Sequence, residues 1–281
     1  MIMCTRDRCA QLRDTVERVR SLRSDDAWEL VVVNNGSRDA TGALLRDLQD
    51  TFPVPLGIVD EPEPGAGRAR NAGVRASRGE LLVFTDDDCY PSDDFLLVAA
   101  ETLRDPAIGF ASGRILLYDP SDHPVATIQR QERREITPGD FIPAGLFSSA
   151  NMTLPRTAFE AVHGFDEDLG PGTPFVCEDV DLVARLSAAG WRGVYDPRLL
   201  VYHHHRRKTK TEAEALTKTY DIGRGAYYAK CLLNSSLRVA CVKYWWRSLR
   251  RAKYGRSLRE IAGGVRYLAH RWLRPTAIPP P

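Results

Sequence analysis

The chain has 281 residues, 43% hydrophobic and 27% charged, enough for one large domain with an extension and ordinary for a folded soluble protein. No stretch approaches the ~20 apolar residues that cross a bilayer, Arg6 and Asp7 interrupt the start before a signal-like apolar run develops, and the six cysteines form no Cys-x-x-Cys pair or disulfide framework, so a reducing cytoplasm is expected. A net charge of +2 hides an acidic body and a basic tail: residues 206–281 carry 18 Lys and Arg against 4 Asp and Glu, and residues 1–205 carry 21 against 33.

Residues 2–4 are a short apolar strand, followed by a helix over 10–24 with Leu12, Val16, Val19 and Leu22 at helical spacing. A buried strand, Leu30–Val33, stops at the turn-forming Asn-Asn-Gly-Ser. A helix over 41–52 and a strand over 55–61 follow. The glycine-rich stretch 65–77 reads as a loop entering a helix, and 79–88 as a fourth strand. Beyond it come a helix over 94–103 and a strand over 108–120. Four prolines and no steady period make 119–145 a long loop, the usual place for gating or acceptor contacts. A helix over 177–191 and a strand over 193–207 complete the body. Strands alternating with helices predict an α/β fold with a mostly parallel sheet. In such sheets ligands gather outside the carboxyl ends of the strands, where the polar clusters 5–8, 34–39, 60–61 and 86–88 fall.

The fourth strand ends in Asp86, Asp87 and Asp88. Adjacent carboxylates repel unless something positive stands between them. A helix cap or a solvated acidic surface would use such residues, and so would a hard cation such as Mg²⁺ or Mn²⁺, which takes one or two carboxylates with phosphate and water. The run "GAGRARNAG" (65–73) sets Arg68 and Arg70 at a helix mouth, yet it matches neither a Walker motif nor GxGxxG. Glu178, Asp179 and Asp181 open a helix, where its dipole alone suits them. Strand alternation puts His203 and His205 on one face and His204 on the other, an arrangement suited to metal or phosphate.

Taken in order, "MCTRDR", "LVVVNNGSRDAT", "GAGRARNAG", "FTDDDCYP", "SSANMTL", "GFDEDL", "CEDVDLVARL" and "VYHHHR" resemble glycosyltransferase family 2 over about residues 1–206. The resemblance implies the GT-A fold, a Rossmann-like, mostly parallel sheet flanked by helices over 1–205, with a basic helical extension over 206–281. It also implies an inverting enzyme that moves a sugar from a nucleoside diphosphate-sugar to an acceptor hydroxyl. The Asp86–Asp88 cluster is then the DxD motif holding Mn²⁺ or Mg²⁺, with Asp86, Asp88 and His203 as metal ligands. Thr5, Arg6, Asn34, Asn35, Asp60, Arg70, Asp86 and Asp87 are expected around the donor nucleotide. Asp179 is the expected base, with Asp181 as second choice and Glu178 beside it. Asn151, Asp166 and His205 fall to the sugar or acceptor side. Many relatives have an aspartate in the 34–35 pair, whereas asparagine stands at both positions here, so the nucleobase contact lacks charge assistance. Only Met1–Met3 precede Cys4, so the first strand is expected to be short or the start late. A catalytically inactive sugar-nucleotide-binding relative and a nucleotidyltransferase are the alternative readings. The latter lacks its glycine-rich signature at the first strand.

The tail reads as helices over 211–233 and 237–255, the second with Val239, Val242, Trp246 and Leu249 on one side and arginines on others. Packing on the acidic body and peripheral docking on an anionic membrane at its cytoplasmic face both fit. Docking would serve a lipid-linked or other envelope glycan acceptor. No nucleic-acid motif is present.

Overall fold

Apolar runs rich in branched residues become the buried centre of one sheet. A computed structural model describes residues 1–251 and 254–273. β1 (Ile2–Thr5), β2 (Leu30–Asn34), β3 (Leu56–Asp60) and β4 (Leu81–Asp86) lie parallel in the order β3-β2-β1-β4. They are joined by α1 (Cys9–Val19), α2 (Thr41–Gln49) and α3 (Ala66–Ala76). Alternation sorts the side chains: Met1, Met3, Leu30 and Val32 enter one core, and Ile2 and Val31 enter the other. Leu12, Val16 and Val19 of α1 are buried at their helical spacing.

The second half is mixed rather than parallel. It contains β5 (Cys89–Pro91), α4 (Phe95–Thr102), β6 (Ile108–Leu117), β7 (Arg134–Ile136), β8 (Met152–Pro155), α5 (Arg156–Ala161), α6 (Glu178–Ala188) and β9 (Arg192–His203). The described residues form a nine-stranded sheet, in which β8 enters antiparallel between β4 and β6. β9 is parallel to β6 and antiparallel to β5 and β7. The expected parallel pairing therefore holds through β1–β4 and again between β6 and β9, while β5, β7 and β8 pair antiparallel. The stretch 119–145 is also more ordered than a loop: Ile128 bridges Ile115, β7 lies on β9, and Ile136 and Ile142 are buried. Its prolines conceal isolated apolar residues that find partners only in the folded sheet.

The tail folds as α7 (Lys210–Leu233), α8 (Arg238–Arg251) and α9 (Tyr254–Leu273). The expected helix over 237–255 is α8 as far as Arg251, and residues 252–253 lie outside those described. Thr209 and Glu212 form a capping box that starts α7. Tyr227, Tyr228, Cys231 and Cys241 join the second core, and the Tyr227 hydroxyl donates to the Ile142 carbonyl at 2.8 Å. The backbones of α7 and α9 meet directly, for a Cβ on Gly225 would lie 1.8 Å from the Glu260 carbonyl oxygen and one on Gly263 2.0 Å from that of Ile222. Beside this contact Asp221 and Glu260, both fully buried, pair with Arg224, Arg256 and Arg259 at 2.8–3.0 Å.

Candidate active site

Register brings the charged residues together at the carboxyl ends of β1 and β4, where Cys4 stands opposite Asp86. The Thr5 hydroxyl donates to Asp87 at 2.7 Å. Arg8, on the turn into α1, spans the next two carboxylates, donating to Asp87 at 2.8 Å and to Asp88 at 2.7 Å. Arg70, buried on α3, donates to Asp86 at 2.9 Å and to Glu178 at 2.7 Å. Pairing of β5 with β9 sets Cys89 opposite His203, and the His203 imidazole Nε2 lies 3.3 Å from Asp88. In the protein alone the positive partners of the three aspartates are thus two arginines and a histidine. Arg8 escaped the sequence reading because an arginine before a helix looks like any other. Its spacing from Thr5 is the only signal that could have found it.

These contacts set the protonation states. Burial pushes Asp87 up to about 6, against the opposing charge of Arg8, and Asp88 adds to the rise. Burial also opposes the charged form of Asp88, but His203 and Arg8 outweigh it and hold that carboxyl well below the usual range. His203 is raised: burial works against its cation, and the hydrogen bond and charge of Asp88 prevail.

The donor-side residues divide by what they already hold. Asn34 donates to Asp60 at 2.9 Å, at the exposed ends of β2 and β3. Asn35 is buried and has no free polar group, since its amide donates to the Glu61 and Glu63 carbonyls and accepts from the Gly65 N–H. Asn34 is therefore the more accessible member of the pair, half-buried, and Asn35 pins the loop leading to α3. Arg6 is exposed, 3.9 Å from Asp7. Arg68 pairs with Glu167 at 3.1 Å.

The second acidic group stands at the start of α6. Cys177 precedes it with φ 115°, a conformation that costs a non-glycine residue about 1–3 kcal/mol. α7 crosses so closely that a Cβ on Gly223 would lie 2.3 Å from the Val176 carbonyl oxygen. Glu178 is buried against Arg70. Asp181 is buried between Arg185 (2.8 Å) and Lys230 of α7 (2.6 Å), and Lys230 also holds Asp166 at 2.6 Å. Asp179 is different: it is half-buried, accepts from the Val180 N–H at 2.7 Å, and among the described residues makes no ion pair. Burial first, and the charge of Glu178 second, push its carboxyl up to about 7. Tyr220 of α7 is raised by burial and then by the charge of Asp179, so the tail reaches this carboxylate. Of the remaining predicted residues, Asn151 donates to the Arg114 and Leu199 carbonyls, tying β6 to β9. His205 is buried beneath the 119–123 segment, bonded to the Arg207 N–H and the His123 carbonyl. His203 and His205 share a face, with ring centroids 5.0 Å apart, while His204 turns to Tyr90 and Tyr118.

Asp88, Cys89 and His203 offer donor atoms all within 4.8 Å of one another. A carboxylate with an imidazole suits Mn²⁺, and a buried carboxylate suits Mg²⁺ as well. The Cys89 thiol is pushed well up by burial and is not a ready ligand.

The glycosyl transferase family 2 model matches residues 1–162. The chain belongs to glycosyl transferase family 2. Among curated relatives, glycosyltransferase AglE of Haloferax volcanii is 23% identical over 78% of this chain and 69% of its own length. The pre-mycofactocin glycosyltransferase of Mycobacterium tuberculosis is 27% identical over 75% of this chain, which spans 43% of that relative. A mannosyltransferase from Pyrobaculum calidifontis, solved with GDP-Man and Mn²⁺, superposes with a TM-score of 0.68 at 21% identity, covering 99% of this chain and 75% of that one. The fold of this glycosyltransferase is therefore GT-A. It is a transferase enzyme.

Proposed function

We propose that the chain is a metal-dependent, inverting glycosyltransferase that uses a nucleoside diphosphate-sugar, with catalytic residues on 1–205 and 206–281 serving as a basic helical extension. The observation that carries this reading is an imbalance of charge. Arg8, Arg70 and His203 face Asp86, Asp87, Asp88, Glu178 and Asp179 at one end of the sheet. Such a cluster is short of positive charge until a cation is added. Asp88 and His203, with Asp86 beside them, would hold Mn²⁺ or Mg²⁺, which when bound neutralises negative charge on a leaving diphosphate. The Mn²⁺ and GDP-Man of the Pyrobaculum enzyme support that assignment.

Arg70 reaches both acidic groups and would orient the diphosphate against Asp86. Thr5, Arg6, Asn34, Asp60 and Asp87 line the nucleotide side, where the Asn34–Asp60 pair restores a carboxylate acceptor that Asn34 itself lacks. Asp179 takes the proton from the acceptor hydroxyl, and a carboxylate with its pKa near 7 is suited to that work at neutral pH. Glu178 and Asp181 act beside it through their ion pairs, and Asp166, Asn151 and His205 support the acceptor side. The acceptor would be a glycan or a lipid-linked glycan of the cell envelope. The enzyme would then work in the cytoplasm, at the inner face of the membrane.

A thermal-shift screen of UDP, GDP, dTDP and CDP, each with and without Mn²⁺, tests this on the wild type and Asp88→Ala. One nucleotide at about 100 times its Kd should stabilise the wild type by about 2.7 kcal/mol. That shift should need Mn²⁺ and vanish in the variant. A folded wild type that shifts with no nucleotide would sink the reading.

A further inference from the structure

α9 is held to the body by one face and leaves another uncovered. Gly263, Gly264, Glu260 and Tyr267 face α7 or the body and are buried. Leu258, Ile261, Val265, Leu268 and Trp272 are exposed, Val265 by 62% and Trp272 by 82%. Their spacing of 3, 4, 3 and 4 residues makes one straight row along the helix, about 21 Å long at 1.5 Å per residue. By helical spacing the exposed Arg266 and Arg271 lie on either side of the row. α8 carries no acidic residue, and the only one on α9, Glu260, is fully buried. Neither helix therefore presents a negative charge to solvent.

The described catalytic body offers this row nothing to bind. Of the large apolar residues exposed among those described, only Tyr118 and Tyr202 lie before residue 233. A second copy docking head to tail would meet an acidic body with no apolar patch, and one docking tail to tail would oppose arginines with arginines. An anionic lipid surface answers both needs, accepting the apolar row into its acyl boundary and the arginines at its headgroups. We propose that the α9 face Leu258–Trp272 is a membrane-docking surface that lies in the plane of an anionic lipid bilayer. No described helix is long and apolar enough to cross one, so the contact is peripheral. On α8 Trp245 turns inward beside Gly264 and Tyr228, while the row expected from the sequence, Val239, Val242 and Trp246, is exposed as well.

The test is flotation of the full chain with phosphatidylcholine vesicles, plain or with about 30% phosphatidylglycerol, at low and at high salt. The wild type should float with the anionic vesicles, less so in salt. Ile261→Glu with Leu268→Glu, both at exposed positions, should cut the partition about tenfold or more, whereas the exposed Leu233→Glu should not. Absence of wild-type binding to anionic vesicles, or equal binding by the double variant, would overturn the proposal. So would a concentration-dependent dimer in analytical ultracentrifugation that the double variant abolishes without any vesicle binding, which would give the face to a second copy. The nucleotide shift is read on the same samples, so failure of docking and failure of the enzyme reading are separable.

Discussion

Among the described residues, the buried cluster of arginines and acids between α7 and α9 contrasts with the one at the ends of β1 and β4. In the first, three arginines meet Asp221 and Glu260, and the helix backbones touch beside them. In the second, two arginines and His203 are shared among Asp86, Asp87, Asp88 and Glu178, with Asp179 left outside every ion pair among the described residues. Burial and short ion pairs are common to both, so neither marks a site by itself. What separates them is the balance. The helix cluster has cations to spare and staples two elements, whereas the strand-end cluster lacks positive charge and lies beside a strained turn at Cys177.

The sharpest way to break this comparison is at Asp179. If it is the base, Asp179→Asn should lower turnover about 10²–10⁴-fold while the Mn²⁺-dependent nucleotide shift survives. Loss of that shift together with activity would make Asp179 a binding residue instead. Glu260→Ala should act in the opposite sense. It removes the buried carboxylate shared by Arg224 and Arg256, leaving Arg224 with Asp221 alone, and should cost about 1–3 kcal/mol of stability by urea unfolding, with nucleotide binding retained below the transition. An unchanged stability would undo the staple. The pH dependence comes next. With the Asp179 carboxyl at about 7 and active when deprotonated, turnover should fall about tenfold per unit as pH drops below that value. A flat profile from pH 5 to 8 would refute it.

The smallest effect is one of linkage. The folded-state pKa of Asp179 is raised above its unfolded value, so the native state binds the extra proton between about 4 and 7. The stability contributed by that proton is complete below the window and lost as pH rises through it. Asp179→Asn should therefore raise the melting temperature at pH 8 and leave it little changed at pH 4.

The parallel half of the fold was legible because its strands are short apolar runs closed by polar turns, as at Leu30–Val33 before Asn34. β7 and β8 were not, since Arg134–Ile136 and Met152–Pro155 carry no periodic signal and become strands only by pairing with β9, β4 and β6. In the site, the Asp86–Asp88 run and the alternation of His203 and His205 could be read directly. Arg8 could not, because its partners lie 79 and 80 residues away. Asn34 and Asn35 look equivalent in sequence, and only the folded loop shows that one faces Asp60 while the other is consumed by backbone groups. The α9 row was hidden by Gly263 and Gly264, which weaken a helix on paper and bring it against α7 in the fold.

Lys230 sets a timetable for the molecule's synthesis. It is the cation from α7 that lies between Asp166 and Asp181, and it follows Asp181 by 49 positions in the chain. At 5–20 residues per second, roughly 2–10 s pass between translation of the two. Until then α6 has its carboxylates in place with Arg185 alone to answer Asp181, and the acidic body waits, incompletely neutralised, for the basic tail still being made.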